Sequence, residues 1–270
     1  MQVVTIDEYI DWDTFFSENW GQNIVHVRNG VNLPFAISDI FSAAVSASDA
    51  HLRRPFQRSD RPGVTFTVAN QERCAEAQDL PRLDDSTLDR YIERMASRMH
   101  GVRYALVINA LHSYAYTLWS KERLFLDQIW RNVGIPASSV ITTLFHGNYR
   151  STPVGVHLDR FATFMFAVRG RKRMRFWSQR PWQDNATSKV AYTPYLASSL
   201  SVIVEPGDVL YWPAQYYHVG ESVDGEVATS VNIGVPSSGH MPSYYIYDLL
   251  LGEKDMVDRC QAEGNEDSSF

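Results

Sequence analysis

Cysteine is scarce in this chain: there are two in 270 residues, Cys74 and Cys260, with no CxxC pair. That excludes a disulfide framework and a cysteine-built zinc module, and makes a reducing compartment, the cytoplasm, the expected location. No run of about 18 apolar residues occurs, so no membrane-spanning helix is expected. The opening MQVVTIDEYIDWDTFF lacks the basic and apolar regions of a leader peptide. Positive charge is also in deficit, with 25 Lys and Arg against 31 Asp and Glu and a formal charge of −6. Such a surface repels phosphate backbones, and nucleic acid is not an expected partner. The one basic run, Arg169 to Arg175, is short and falls in a strand-like stretch, where it could meet an acidic partner. A P-loop, a glycine-rich dinucleotide motif, a Ser-His-Asp set and internal repeats are missing as well.

Aromatic residues are abundant at 13%, including seven Trp and fourteen Tyr, which suits a β-rich core and a concave pocket. Residues 1–139 alternate helical and strand-like segments. Asp11 or Asp13 is placed to cap an aromatic helix, and Ile24 to Val27 reads as a strand. Helices are predicted at 38–48, 86–101 and 121–133, with strands at 65–68 and 103–109. From 140 the pattern becomes serial short strands at 140–145, 154–158, 163–168, 173–177, 200–204, 209–212 and 229–233. This predicts a mainly β protein with flanking helices. A jelly-roll core spans 140–236, an α/β region at 1–139 packs on it, and 237–270 forms a short helix and an acidic tail.

The segment Thr152 to Trp177 carries the chemistry. His157-Leu158-Asp159 is an HxD pair, and on a strand residues i and i+2 share a face. One imidazole and one carboxylate can then enter one cavity. His218, after the run PGDVLYWP, is the candidate third ligand; the strand ends at Pro213 and a loop over 214–217 delivers it. Two histidines and one carboxylate leave coordination positions open, the pattern of non-haem iron(II) oxygenases. Of the other histidines, His146 is the rival, as ligand or substrate contact. Tyr216 and Tyr217, with Tyr211 and Trp212, are candidates to wall a substrate pocket.

The order of HxD, Gly170-Arg171-Lys172, PGDVLYWP…His218 and Val231-Asn232 resembles the JmjC or cupin-like 2-oxoglutarate oxygenases. Within them it is most similar to small hydroxylases, such as the asparaginyl hydroxylase of hypoxia-inducible factor and the bacterial ribosomal-protein hydroxylases. The likeness covers about residues 140–236, and the N-terminal third fits more loosely. It implies a double-stranded β-helix that uses Fe(II), with 2-oxoglutarate and O2 as co-substrates. A basic residue fifteen positions past the first ligand, here Lys172, would pair with the distal carboxylate of 2-oxoglutarate, with Arg173 in reserve. A solvated basic hairpin is the competing reading. Thr163 would line the co-substrate pocket, and Asn232 would stand near the metal end of 2-oxoglutarate, unless it is a core amide. Thr152-Pro153 comes two residues earlier than the family pattern, which puts its use as a co-substrate hydroxyl in doubt. The implied activity is hydroxylation of an aliphatic C–H of a peptide or protein side chain. A small-molecule hydroxylase and a metal-binding cupin without oxygenase activity are the alternatives.

Overall fold

The computed structural model describes residues 1–29, 33–53, 63–136 and 140–236. The expected C-terminal helix and acidic tail from 237 lie outside these residues. The chain opens with β1 (Val3–Asp7) and one helical turn, α1 (Trp12–Thr14), continued by a π turn at Phe15–Asn19. Asp11 is the cap, accepting from Thr14 N at 2.9 Å. β2 (Ile24–Arg28), α2 (Ile37–Arg53), the hairpin β3 (Val64–Val68) and β4 (Gln71–Arg73), α3 (Leu88–Met99), β5 (Tyr104–Ile108) and α4 (Tyr116–Val133) follow. Tyr91, Met95 and Met99 recur every fourth residue to form the buried stripe of α3, and Thr87 caps it.

Seven strands make up the rest: β6 (Ile141–Gly147), β7 (Phe161–Arg169), β8 (Lys172–Trp177), β9 (Leu200–Val204), β10 (Val209–Trp212), β11 (Tyr217–Ser222) and β12 (Ala228–Pro236). They divide between two sheets. The larger has the order β1-β2-β10-β7-β12-β6-β5-β3-β4, and the smaller β11-β8-β9. β1 and β2 extend one edge of the large sheet and β5, β3 and β4 the other. Residues 1–139 and 140–236 therefore share one hydrogen-bonded sheet, joined at β2–β10 and β5–β6.

Alternation decides what each face of that sheet meets. Phe164, Phe166, Val231, Ile233 and Leu144 point to the helices and belong to the main core with Phe15, Ile40, Tyr91 and Ile129. Thr163, Met165, Asn232 and Thr143 point the other way, toward the small sheet. On β8, Lys172, Met174 and Phe176 face inward in the same rhythm, while Arg173 and Arg175 face out to Glu221. The arginines of the basic run are matched by acids, Arg169 with Asp89 and Arg171 with Asp224 and Glu226, and Lys172 is not.

Two local expectations differ from the structure. Residues 154–158 form no regular strand, because Gly155 turns there at φ +72° with a space too small for a Cβ: one built on it would lie 2.4 Å from the Lys189 carbonyl oxygen. His218 lies within β11 rather than on a loop, since Tyr217 to Ser222 pairs along the full length of β8. Asp208 fixes the turn before β10. Its carboxylate accepts from Asn29 N and Glu205 N and lies 2.8 Å from His26 Nε2, with Asp208 and His26 both buried. Asp208→Ala is expected to lower stability by about 3 kcal/mol, because buried His26 and two part-buried backbone amides lose their acceptor together. Urea denaturation checks it; a loss within error would mean that solvent replaces these bonds.

Candidate active site

Backbone pairing brings the two histidines of the expected metal set together. His157 N donates to His218 O at 3.1 Å, and His218 N donates to His157 O at 2.9 Å. The same alignment continues upstream, with Thr152 N on Gly220 O and Ser222 N on Tyr149 O. The HxD segment thus lies along β11, and the two imidazole centroids are 4.4 Å apart. Each Nδ1 sits against the carbonyl oxygen two residues earlier, Gly155 O at 2.9 Å and Tyr216 O at 3.1 Å. A carbonyl only accepts, so each Nδ1 carries a proton, and each Nε2 is the atom left to turn toward Asp159 and a cation. Asp159 completes the group, with Oδ1 3.5 Å from His157 Nε2 and Oδ2 3.3 Å from His218 Nε2. One potential ligand atom from each residue lies within 4.8 Å of the others.

Protonation also suits a cation. Burial, aided by the neighbouring His218, pushes His157 down to about 4, so it is neutral at pH 7. Burial alone would raise Asp159, but the hydrogen bond and charge of His218 outweigh it and hold the carboxyl below its usual range.

These three residues border a cavity of about 200 Å³ between the two sheets. At its inner wall Lys172 is 2% exposed. Its ammonium donates to Ser230 Oγ at 2.8 Å and lies 4.7 Å from the Phe145 ring centroid, with no carboxylate beside it among the described residues. Ser230 in turn donates to Asn232 Oδ1 at 3.2 Å. Burial pulls Lys172 from 10.5 to about 7, roughly 5 kcal/mol against the charged form. Two buried hydroxyls on the same cavity, Thr152 Oγ1 and Thr163 Oγ1, have no partner among the described residues. Gly220 makes room for the lysine: a Cβ there would stand 2.7 Å from Lys172 Cε.

Other expected residues are placed elsewhere. Arg173 points away from the cavity to Glu221. His146 is fully buried between Tyr104 and Thr229, and burial pushes it to about 3; it does not line the cavity. Tyr216 is tied to the Gln22 carbonyl, and Tyr217 lies edge-on to Trp182, so neither borders the cavity. Tyr211 is held in the main core by Gly21 N and the Phe164 ring. Thr152, whose use was in doubt from the sequence, does border the cavity, and so does Gly220, which was not expected there; Ser230, also unexpected, supports Lys172 and Asn232 of its lining. The signal for Thr152 was present in its position just before the HxD, whereas Ser230 is aimed by a bulge in β12 between Thr229 and Ser230 that no motif announces.

A large and a small sheet enclosing such a cavity define a double-stranded β-helix of the jelly-roll, cupin-like class. Residues 118–241 match a family model described as a JmjC domain. The HSPB1-associated protein 1 homolog of Danio rerio is 30% identical over 138 residues, which is 42% of this chain and 29% of that protein. Among solved structures, Escherichia coli YcfD superposes with a TM-score of 0.50 at 17% identity, over 97% of this chain and 61% of that one, a likeness of fold. YcfD, described as a ribosomal oxygenase in complex with cobalt and 2-oxoglutarate, gives a TM-score of 0.48 at 15% identity, over 97% and 60%. The chain thus spans less than two thirds of these relatives.

Replacing His157, Asp159 or His218 with Ala is expected to weaken Mn(II) or Co(II) binding at least roughly tenfold. Calorimetry on the three variants measures this, and any variant with wild-type affinity removes that residue from the ligand set.

Proposed function

We propose that this protein is an Fe(II)- and 2-oxoglutarate-dependent dioxygenase that hydroxylates an aliphatic C–H of a peptide or protein side chain. One observation carries the reading. A buried ammonium without a counter-ion and two unpartnered threonine hydroxyls share a small cavity with a two-histidine, one-carboxylate cluster. That donor set suits a dianion held at both ends, one at a metal and one at Lys172.

His157, Asp159 and His218 would hold the iron, which together with 2-oxoglutarate and O2 supplies oxidative decarboxylation coupled to hydroxylation. Lys172 would bind the distal carboxylate, with Thr152 and Thr163 donating hydrogen bonds to it. Asn232, oriented by Ser230, would position the co-substrate near the metal. Phe145 and Met174 line the same cavity with apolar surface that limits water. At the rim, Ile141 and Val154 are 37% and 45% exposed. An apolar, open rim suits a polypeptide. The closed aromatic pocket that would have favoured a small molecule has Tyr211, Trp212 and Tyr216 buried in the cores instead. No described helix is long and apolar enough to cross a membrane, and the exposed, unpaired Cys74 suits a cytoplasmic location.

Fe(II)-loaded protein is expected to release succinate from 2-oxoglutarate and to add one oxygen to a susceptible polypeptide, both read by mass spectrometry. Lack of 2-oxoglutarate binding overturns the reading. Lys172→Met should weaken 2-oxoglutarate roughly a hundredfold, the loss of a buried charged hydrogen bond. In the wild type the dianion requires the ammonium, which burial holds near 7 before binding. Affinity should therefore be level below pH 7 and fall as pH rises above it, with a proton taken up on binding. Calorimetry at several pH values measures both; affinity that rises above pH 7 would remove Lys172 from the scheme.

A further inference from the structure

β6 has two faces. Thr143 borders the active-site cavity, and Thr142 faces the other way, toward α4. There, α4, the 3-10 turn Leu111–Tyr114 and Ile135, Pro136 and Val140 line a second cavity of about 270 Å³. Three buried polar atoms of its lining residues have no hydrogen-bond partner among the described residues: Glu122 Oε2, His112 Nδ1 and Trp130 Nε1. Glu122 is 2% exposed. Its Oε1 accepts from Thr142 Oγ1 at 2.5 Å and lies 3.9 Å from His112 Nδ1. Trp119, 43% exposed at the rim, and Leu126 supply apolar wall.

A buried carboxylate with one oxygen unmatched is costly, and among the described residues nothing supplies the match. We propose that this second cavity receives the guanidinium group of an arginine presented by a polypeptide. A guanidinium brings the charge that Glu122 lacks and several donors in a plane, enough for Glu122 Oε2 and for an unprotonated His112 Nδ1. It also stacks on indole faces, and the Arg123 guanidinium already lies 5.9 Å from the Trp119 ring centroid. A backbone carbonyl of the same polypeptide would accept from Trp130 Nε1. The net charge of −6 favours a basic partner.

Location gives the pocket its use. Val140 borders the second cavity and Ile141 the first, so one extended segment crossing the start of β6 reaches both. Only the idea that this polypeptide is also the substrate rests on the oxygenase reading; the preference for a cation does not. Protons are linked to binding. Burial raises Glu122 to about 7, and the charged or titratable groups facing it are His112, which burial lowers, and Arg123; β6 contributes Thr142 and no charge. The ionised carboxylate is the binding form, so affinity rises from pH 6 to pH 8 with release of a proton.

The test is calorimetry of the full chain with the capped tripeptide Ala-Arg-Ala and with its citrulline counterpart, which has the same shape and no charge. The arginine peptide is expected to bind at least tenfold tighter than the citrulline one, tighter at pH 8 than at pH 6, and with heats that vary with the buffer. Glu122→Gln, which keeps the shape, should abolish both the preference and the pH dependence, and Trp119→Ala should weaken both peptides. Equal binding of the two peptides, no binding of either, or a preference that survives Glu122→Gln would overturn the proposal. Normal succinate release alongside such a failure removes this pocket alone. A clear arginine preference without 2-oxoglutarate binding keeps the pocket and removes the oxygenase reading.

Discussion

An ammonium group sealed between two β-sheets, with no anion beside it among the described residues, is a costly arrangement, and the rest of the site is organised around it. Lys172 keeps one hydroxyl partner and an aromatic face, which soften the cost without matching the charge. Gly220 leaves its stem unobstructed, and Ser230 is turned toward it by a bulge. A hydrophobic residue of similar length would make the fold more stable. The lysine's presence is understandable when an anion enters the cavity, and the threonine hydroxyls nearby have the same character.

The candidate metal-binding group is built differently, with the backbone as template. Reciprocal hydrogen bonds between His157 and His218 set the spacing of the two imidazoles, and two carbonyls choose their tautomer. Neither histidine depends on another side chain for its orientation, so the site is assembled by folding. The two-sided large sheet then separates duties. One face is packed with aromatic and aliphatic residues against the helices, and the other carries the polar groups. Glu122 stands on the helical side of β6 as an exception to this division, with an unmatched oxygen of its own.

Much of the fold was legible in the sequence because strand alternation and helix stripes are local. β9 and β10 fall at the boundaries that the apolar runs suggested, and the α3 stripe is read directly from its methionines and tyrosine. β11 was missed because only Tyr217 and Val219 are strand formers and Gly220, Glu221 and Ser222 dilute the signal; pairing with β8 extends the strand to Ser222. The HxD segment was over-regularised, since Gly155 breaks it where the Lys189 backbone passes. In the site, residue identity and spacing pointed at His157, Asp159 and His218, and the family resemblance at Lys172; all four border one cavity. Which way Tyr216, Tyr217 and His146 face was not legible, because it depends on partners far away in sequence: Gln22, Trp182 and Tyr104.

The order of strands has a consequence for how the chain is made. β12 comes last among the described strands, yet it sits in the interior of the large sheet between β7 and β6, with its longest register against β7. During synthesis the two edges it will join stay open until residue 236 has left the ribosome, exposing unpaired backbone N–H and C=O groups that can pair with other chains. Closure of the molecule is thus a late, long-range event, and a nascent chain paused before β12 is the form most in need of a chaperone.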